Sequence, residues 1–178
     1  MRRRILPAGS ALAALALASC VSAPPAPPPV VRAPAPAPPP PAVTAPPPLA
    51  DDWRDWPLTP GTWRYAADSR GTRAMFGDGG DAVVVLRCDR SERRMYLSRT
   101  GAGIAPITVR TSSVSRAVAV QPTGGAQPYV AAALAINDPL LDAMAFSRGR
   151  FVIQQQGAAT LVIPAYAEVG RVIEDCRG

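Results

Sequence analysis

Histidine and lysine are both absent from the 178 residues, so all 19 basic side chains are arginine. Without histidine there is no Ser-His-Asp or Cys-His nucleophile pair and no histidine-bearing zinc site. Without lysine there is no Ser-Lys hydrolase, Schiff base or phosphate-loop lysine. Gly101-Ala102-Gly103 therefore reads as a turn and not as a nucleotide loop. Aromatic residues make up only 6% of the chain, and there are only three cysteines. The apolar stretch from Ile5 to Ala18 is about 14 residues long, short of the roughly 20 that a membrane-spanning helix needs. What the chain does have in excess is proline, 22 residues in all.

The first twenty residues carry one specific pattern. Met1-Arg2-Arg3-Arg4 precedes the apolar stretch, and Leu17-Ala18-Ser19-Cys20 closes it. A basic start, a short apolar core and small residues mark a secretory signal, which is set aside in reasoning about the fold. The cysteine makes the segment resemble a bacterial lipoprotein signal. That resemblance implies cleavage after residue 19 and diacylglycerol on the Cys20 thiol. It also implies acylation of the new amino terminus. Each buried CH₂ contributes about 0.8 kcal/mol, so several chains anchor stably where one holds marginally. Valine at position 21, in place of the aspartate of the enteric sorting rule, implies the outer membrane, on its periplasmic face.

Residues 20–50 form the expected lipidated terminus and tether. Fourteen prolines fall between Ser22 and Leu49. Proline fixes φ and has no N–H, which excludes helix and sheet. The segment should be polyproline II, a disordered, semi-rigid spacer reaching on the order of 80 Å at about 3.1 Å per residue. A docking site for a proline-recognising partner is the sharper alternative.

Residues 51–178 are left as one domain of ordinary size. Fifteen arginines face thirteen acids there, so the domain is near +2. That is no nucleic-acid footprint, and no nucleic-acid partner is expected. Alternation predicts strands at Gly61–Ala67, Thr72–Phe76, Ala82–Cys88, Arg94–Arg99, Ile107–Thr111, Ala117–Val120 and Tyr129–Ile136. Asp138 caps a short helix with Pro139 in its first turn, and Ser147–Gly149 ends it. Arg150–Gln155 and Ala159–Ile163 make a last hairpin. Pro164 is expected to open a terminal helix with Tyr166, Val169, Ile173 and Cys176 on one face and an Arg171–Asp175 pair on another.

These elements predict a mainly β domain, an antiparallel sandwich or curved sheet with two short helices, since no βαβ alternation occurs. Cys88 and Cys176 both fall on predicted core faces in an exported chain. A disulfide between them is expected, worth about 4–5 kcal/mol in the chain-entropy picture. The strand cysteine and the closing Ile173-Glu174-Asp175-Cys176-Arg177 are similar to invasion-associated-locus-B-type envelope β-proteins. That likeness covers the 128-residue domain only, and no functional residue is carried over from it.

Several side-chain groups compete as candidate sites. Arg87, Arg90, Arg93, Arg94 and Arg99 surround one predicted hairpin and would grip anionic head groups or peptidoglycan carboxylates, although Asp89 and Glu92 lie among them. Trp53, Trp56 and Trp63 suit sugar rings or a partner if exposed, and the core if not. Asp138 and Asp142 stand one helical turn apart, the residue type of a glycosidase pair, with a capping role as the plainer reading. Glu174 and Asp175 read as surface charges. Gly77-Asp78-Gly79-Gly80-Asp81 offers oxygen ligands without EF-hand spacing and reads as a turn. No cofactor or metal is expected. The leading expectation is a non-catalytic, membrane-anchored envelope lipoprotein that binds an envelope protein, peptidoglycan or another ligand, or that serves the envelope structurally. The alternative is a lysozyme- or protease-type inhibitor or accessory subunit presenting Gln121–Gln127, and a carboxylate hydrolase ranks last.

Overall fold

Alternating apolar side chains divide the domain into two antiparallel sheets. In the computed structural model, residues 50–178 are described. The chain divides into two units, Met1–Ala45 and Pro46–Gly178, and the described residues all belong to the second. The signal segment 1–19, Cys20 and the tether up to residue 49 lie outside the described residues.

Six strands form the first sheet: β1 (Thr62–Asp68), β2 (Gly71–Gly77), β3 (Val84–Asp89), β4 (Arg94–Thr100), β7 (Gln121–Pro122) and β8 (Tyr129–Ala135). Their order is β1-β2-β3-β4-β8-β7. The second sheet runs β10-β9-β5-β6, from β5 (Ile107–Arg110), β6 (Ser115–Val118), β9 (Arg150–Gln155) and β10 (Leu161–Pro164). Helices α1 (Pro139–Ala145) and α2 (Ala167–Arg177) complete it.

Register fixes which side chains face inward. Tyr65, Ala74, Leu86, Leu97 and Ala132 lie side by side across five strands. Trp63, Phe76 and Val84 start the next inner row. These rows share one core with Ile107, Val109, Phe151, Ile153 and Ile163 of the second sheet. Leu140, Leu141 and Met144 of α1, and Val169, Val172 and Ile173 of α2, close it. Trp63 spans the layers, with its indole N–H donating to the Pro164 carbonyl at 2.8 Å and its ring edge-on to Phe76 at 5.3 Å.

The local devices follow from sequence. Asp138 accepts from the Leu140 N–H at 2.8 Å, with Pro139 beginning the helix. Gly71 adopts φ +146°, and a Cβ there would sit 2.5 Å from the Cys88 carbonyl oxygen. Only glycine tolerates that turn conformation and approach. Cys88 and Cys176 lie at disulfide distance, Cα to Cα 5.4 Å, joining the buried end of β3 to α2.

Three details differ from the sequence expectation. Pro164 ends β10, and α2 starts at Ala167 with Tyr166 as an exposed N-cap lacking a side-chain cap bond. Tyr166 is thus off the buried face, which Val169, Val172 and Ile173 supply. Arg171 and Asp175 converge on Tyr65. The Tyr65 hydroxyl donates to Asp175 at 2.7 Å, and the Arg171 guanidinium lies 3.7 Å above the ring.

The two sheets differ on their outer faces. On the second sheet, Val152 and Val162 point outward as neighbours, and Trp53 and Trp56 pack over them. The segment continues along β10, where the Thr59 N–H donates to the Val162 carbonyl and the Val162 N–H to Thr59 Oγ1, each at 2.9 Å. An otherwise open strand edge is thereby closed. The first sheet carries no such cover among the described residues.

Candidate functional site

The uncovered face is built from two cross-strand rows. Arg64, Met75, Val85, Ser98, Ala131 and Gln121 form one. Ala66, Arg73, Arg87, Tyr96 and Ala133 form the other. Toward β8 the rows end in small side chains, Ser98 and Ala131 in one and Ala133 in the other, so the sheet surface is hollow there. The segment from Ala119 to Thr123 walls one side, and Arg70 and Arg87 stand among its other lining residues. The resulting groove holds about 600 Å³, within the usual range for ligand sites.

Its polar groups are few and distinct. Arg70 donates from Nε and Nη2 to Asp89 Oδ2, at 2.9 and 2.5 Å. Its Nη1, the Ser98 hydroxyl and the Gln121 amide have no hydrogen-bond partner among the described residues. Arg87 grips Asp68 with both terminal nitrogens, at 3.2 and 2.6 Å. The Tyr96 hydroxyl donates to Glu92. That bond and burial beside the carboxylate push the Tyr96 hydroxyl above its ordinary pKa. Asp89 is held down at about 2 by the Ser91 hydroxyl, Arg70 and the Glu92 N–H. Asp68 is held well below the carboxylate range by Arg87 first, despite an opposing desolvation, with help from the Arg70 N–H and Arg73. These acids stay ionised and hold Arg70 and Arg87 in position. The site therefore offers the free Nη1 of the ion-paired Arg70, a small-residue floor and the Ser98 and Gln121 donors, which can hydrogen-bond the oxygens of a narrow chain.

The five arginines expected to gather are dispersed. Arg87 lines the groove. Arg94 is exposed at the start of β4. Arg90 and Arg93 stand by the disulfide, around a separate hollow with Asp175 and Arg177. Arg99 is 2% exposed, on the inner face beside Val84 and Val130. It donates to the Thr100 and Ala159 carbonyls, and burial pulls its pKa down. Arg99 thus lies outside any surface patch, because alternation from Met95 and Leu97 carries it inward.

The tryptophans serve packing. Trp53 and Trp63 are buried, and Trp56 is half-buried with its indole N–H on the Ala50 carbonyl at 2.5 Å. Asp138 and Asp142 are each held by arginine. Arg116 donates to both Asp138 oxygens at 2.8 Å, and Arg177 to both oxygens of Asp142 at 2.7 and 3.1 Å. Burial pushes the Asp138 carboxyl up, but Arg116 and the Leu140 N–H together hold it below its ordinary value. Asp138 is therefore not poised to give a proton near neutral pH. In the glycine loop, Asp81 accepts from Gln127. Gln121–Gln127 is exposed but tied at both ends, through β7 pairing and through Gln127. Among the described residues no three His, Cys, Asp or Glu side chains stand together as metal ligands.

Sequence reasoning passed over Arg70, Tyr96, Ser98, Ala131 and Ala133. The signal was the opposite parity of each strand, since Tyr96 and Ser98 must face away from Met95 and Leu97. No family model, curated protein or solved structure matches the chain.

Proposed function

We propose that this protein is an outer-membrane lipoprotein, exported by residues 1–19 and acylated at Cys20. Its tethered β-domain is non-catalytic and binds a carboxylate-bearing peptide, the chemistry of peptidoglycan stems. The observation that carries the binding reading is the open groove of the six-stranded sheet, with Arg70 Nη1, Ser98 and Gln121 free above a floor of Ala131 and Ala133. Small floor residues admit a chain with small side chains, and the free Nη1 of Arg70 can hydrogen-bond the oxygens of its carboxylate. The lipoprotein reading rests on Leu17-Ala18-Ser19-Cys20 and the basic start before it.

Two variants test the two halves separately. Cys20→Ala should abolish fatty-acid labelling and membrane retention while leaving peptide binding intact. An unchanged labelled band in the membrane fraction would refute the anchor. Ala131→Trp should fill the groove and abolish binding of a soluble muramyl peptide in calorimetry, with unfolding by denaturant unchanged. Undiminished binding by a folded Ala131→Trp protein removes the groove from the account.

A further inference from the structure

Phe146, the C-cap of α1, is 79% exposed, the most exposed large apolar side chain in the domain, and Tyr166 beside it is 55% exposed. Phe146 stands between two hollows. One, of about 470 Å³, is lined by Ala145, Ala165, Ala167 and Gly170 and edged by Tyr166, Glu174 and Arg171, whose guanidinium is stacked on the Tyr65 ring. The other, beyond Phe146, is lined by Ser112, Ser113 and Arg148. The first hollow has room for a phenyl ring, and half of its lining residues are alanine or glycine. Exposed aromatics next to a small-residue hollow are the usual anchors of protein interfaces.

Each hollow carries both signs, but Arg171 is stacked on Tyr65, which leaves one unengaged charge on each side, and these two are opposite. Arg148 and Glu174 have no ion-pair partner among the described residues, whereas Asp142 is taken by Arg177. Knob, hollow and opposite charges thus occur together on one surface, which makes it complementary to itself. A two-fold axis between Phe146 and the first hollow would seat each Phe146 in the other copy's hollow. It would also bring each Arg148 toward the other copy's Glu174. This is the isologous arrangement of most homodimers.

We propose that the domain self-associates as a two-fold dimer through Phe146, Tyr166, Arg148 and Glu174. The surface is distinct from the groove and independent of what the groove binds. A different partner would have to bring its own ring, hollow and paired charges, whereas a second copy already has all of them.

Sedimentation equilibrium of the full chain in density-matched detergent tests this. Wild type should be a reversible dimer. Phe146→Ser should weaken association at least about tenfold, as loss of an interface anchor does. Its unfolding midpoint, taken at a concentration where wild type is monomeric, should not change, because the ring is outside the core. Arg148→Glu should weaken the dimer, and Arg148→Glu with Glu174→Arg should restore it. A wild-type chain that is monomeric throughout, or an oligomer indifferent to both Phe146→Ser and the charge swap, overturns the proposal.

Discussion

The outer faces of the two sheets have the same kind of backbone and opposite fates. On the four-stranded sheet, Val152 and Val162 present branched apolar side chains, and the chain returns Trp53 and Trp56 to cover them. On the six-stranded sheet, Ser98, Ala131 and Ala133 present almost nothing, and the face stays open between Arg87 and the short strand β7. Composition of the outward rows decides this. The Val152–Val162 pair recruits its own chain as cover, whereas the first sheet's outward rows, in which Met75, Val85 and Tyr96 stand among small and charged side chains, do not. The first face should be sensitive to mutation through stability, the second through binding.

The largest effect is expected where cover is removed. Trp53→Ala should cost about 3 kcal/mol, the scale of a buried aromatic lost to a cavity, seen as a lower denaturant midpoint. If stability is unchanged, the two faces are not different in kind. Thr59→Val keeps the shape but removes the oxygen that accepts the Val162 N–H, and should cost about 1 kcal/mol.

How much of this contrast was legible depends on which rule the residues obeyed. The sandwich, the cap at Asp138 and the closeness of Cys88 to Cys176 follow from alternation, capping chemistry and the core faces on which both cysteines fall, and all are present. Terminal-helix periodicity placed Val169 and Ile173 correctly but enrolled Tyr166, because the strand ran on through Pro164 before the helix began. Arg99 shows how a charge misleads: its parity with Met95 and Leu97 put it inside, while its type suggested the surface. The groove was hidden for a different reason. Its floor is made of alanines and a serine, which carry no chemistry in the sequence and gain meaning only when register places them side by side.

The margin of the open face should respond to acid. Asp89 is held at about 2 against an ordinary 3.8. A carboxyl with a depressed folded pKa adds stability that is complete above its unfolded value and is lost as the proton returns. The contribution of Asp89 should therefore be constant above about pH 5 and fall away between pH 4 and 2. Denaturant midpoints followed against pH should show that step in wild type and a smaller one in Asp89→Asn. At the floor itself, Ser98→Ala should change stability by less than about 0.5 kcal/mol, while weakening peptide binding in calorimetry.

Amide chemical shifts of the Cys20→Ala chain, followed by NMR as a soluble muramyl peptide is added, test the division between faces most directly. The account predicts saturable shifts at Ser98, Gln121, Ala131 and Ala133, with none at Val152 or Val162. Shifts confined to residues beside Trp53 and Trp56, or no shifts at any peptide concentration, would contradict it.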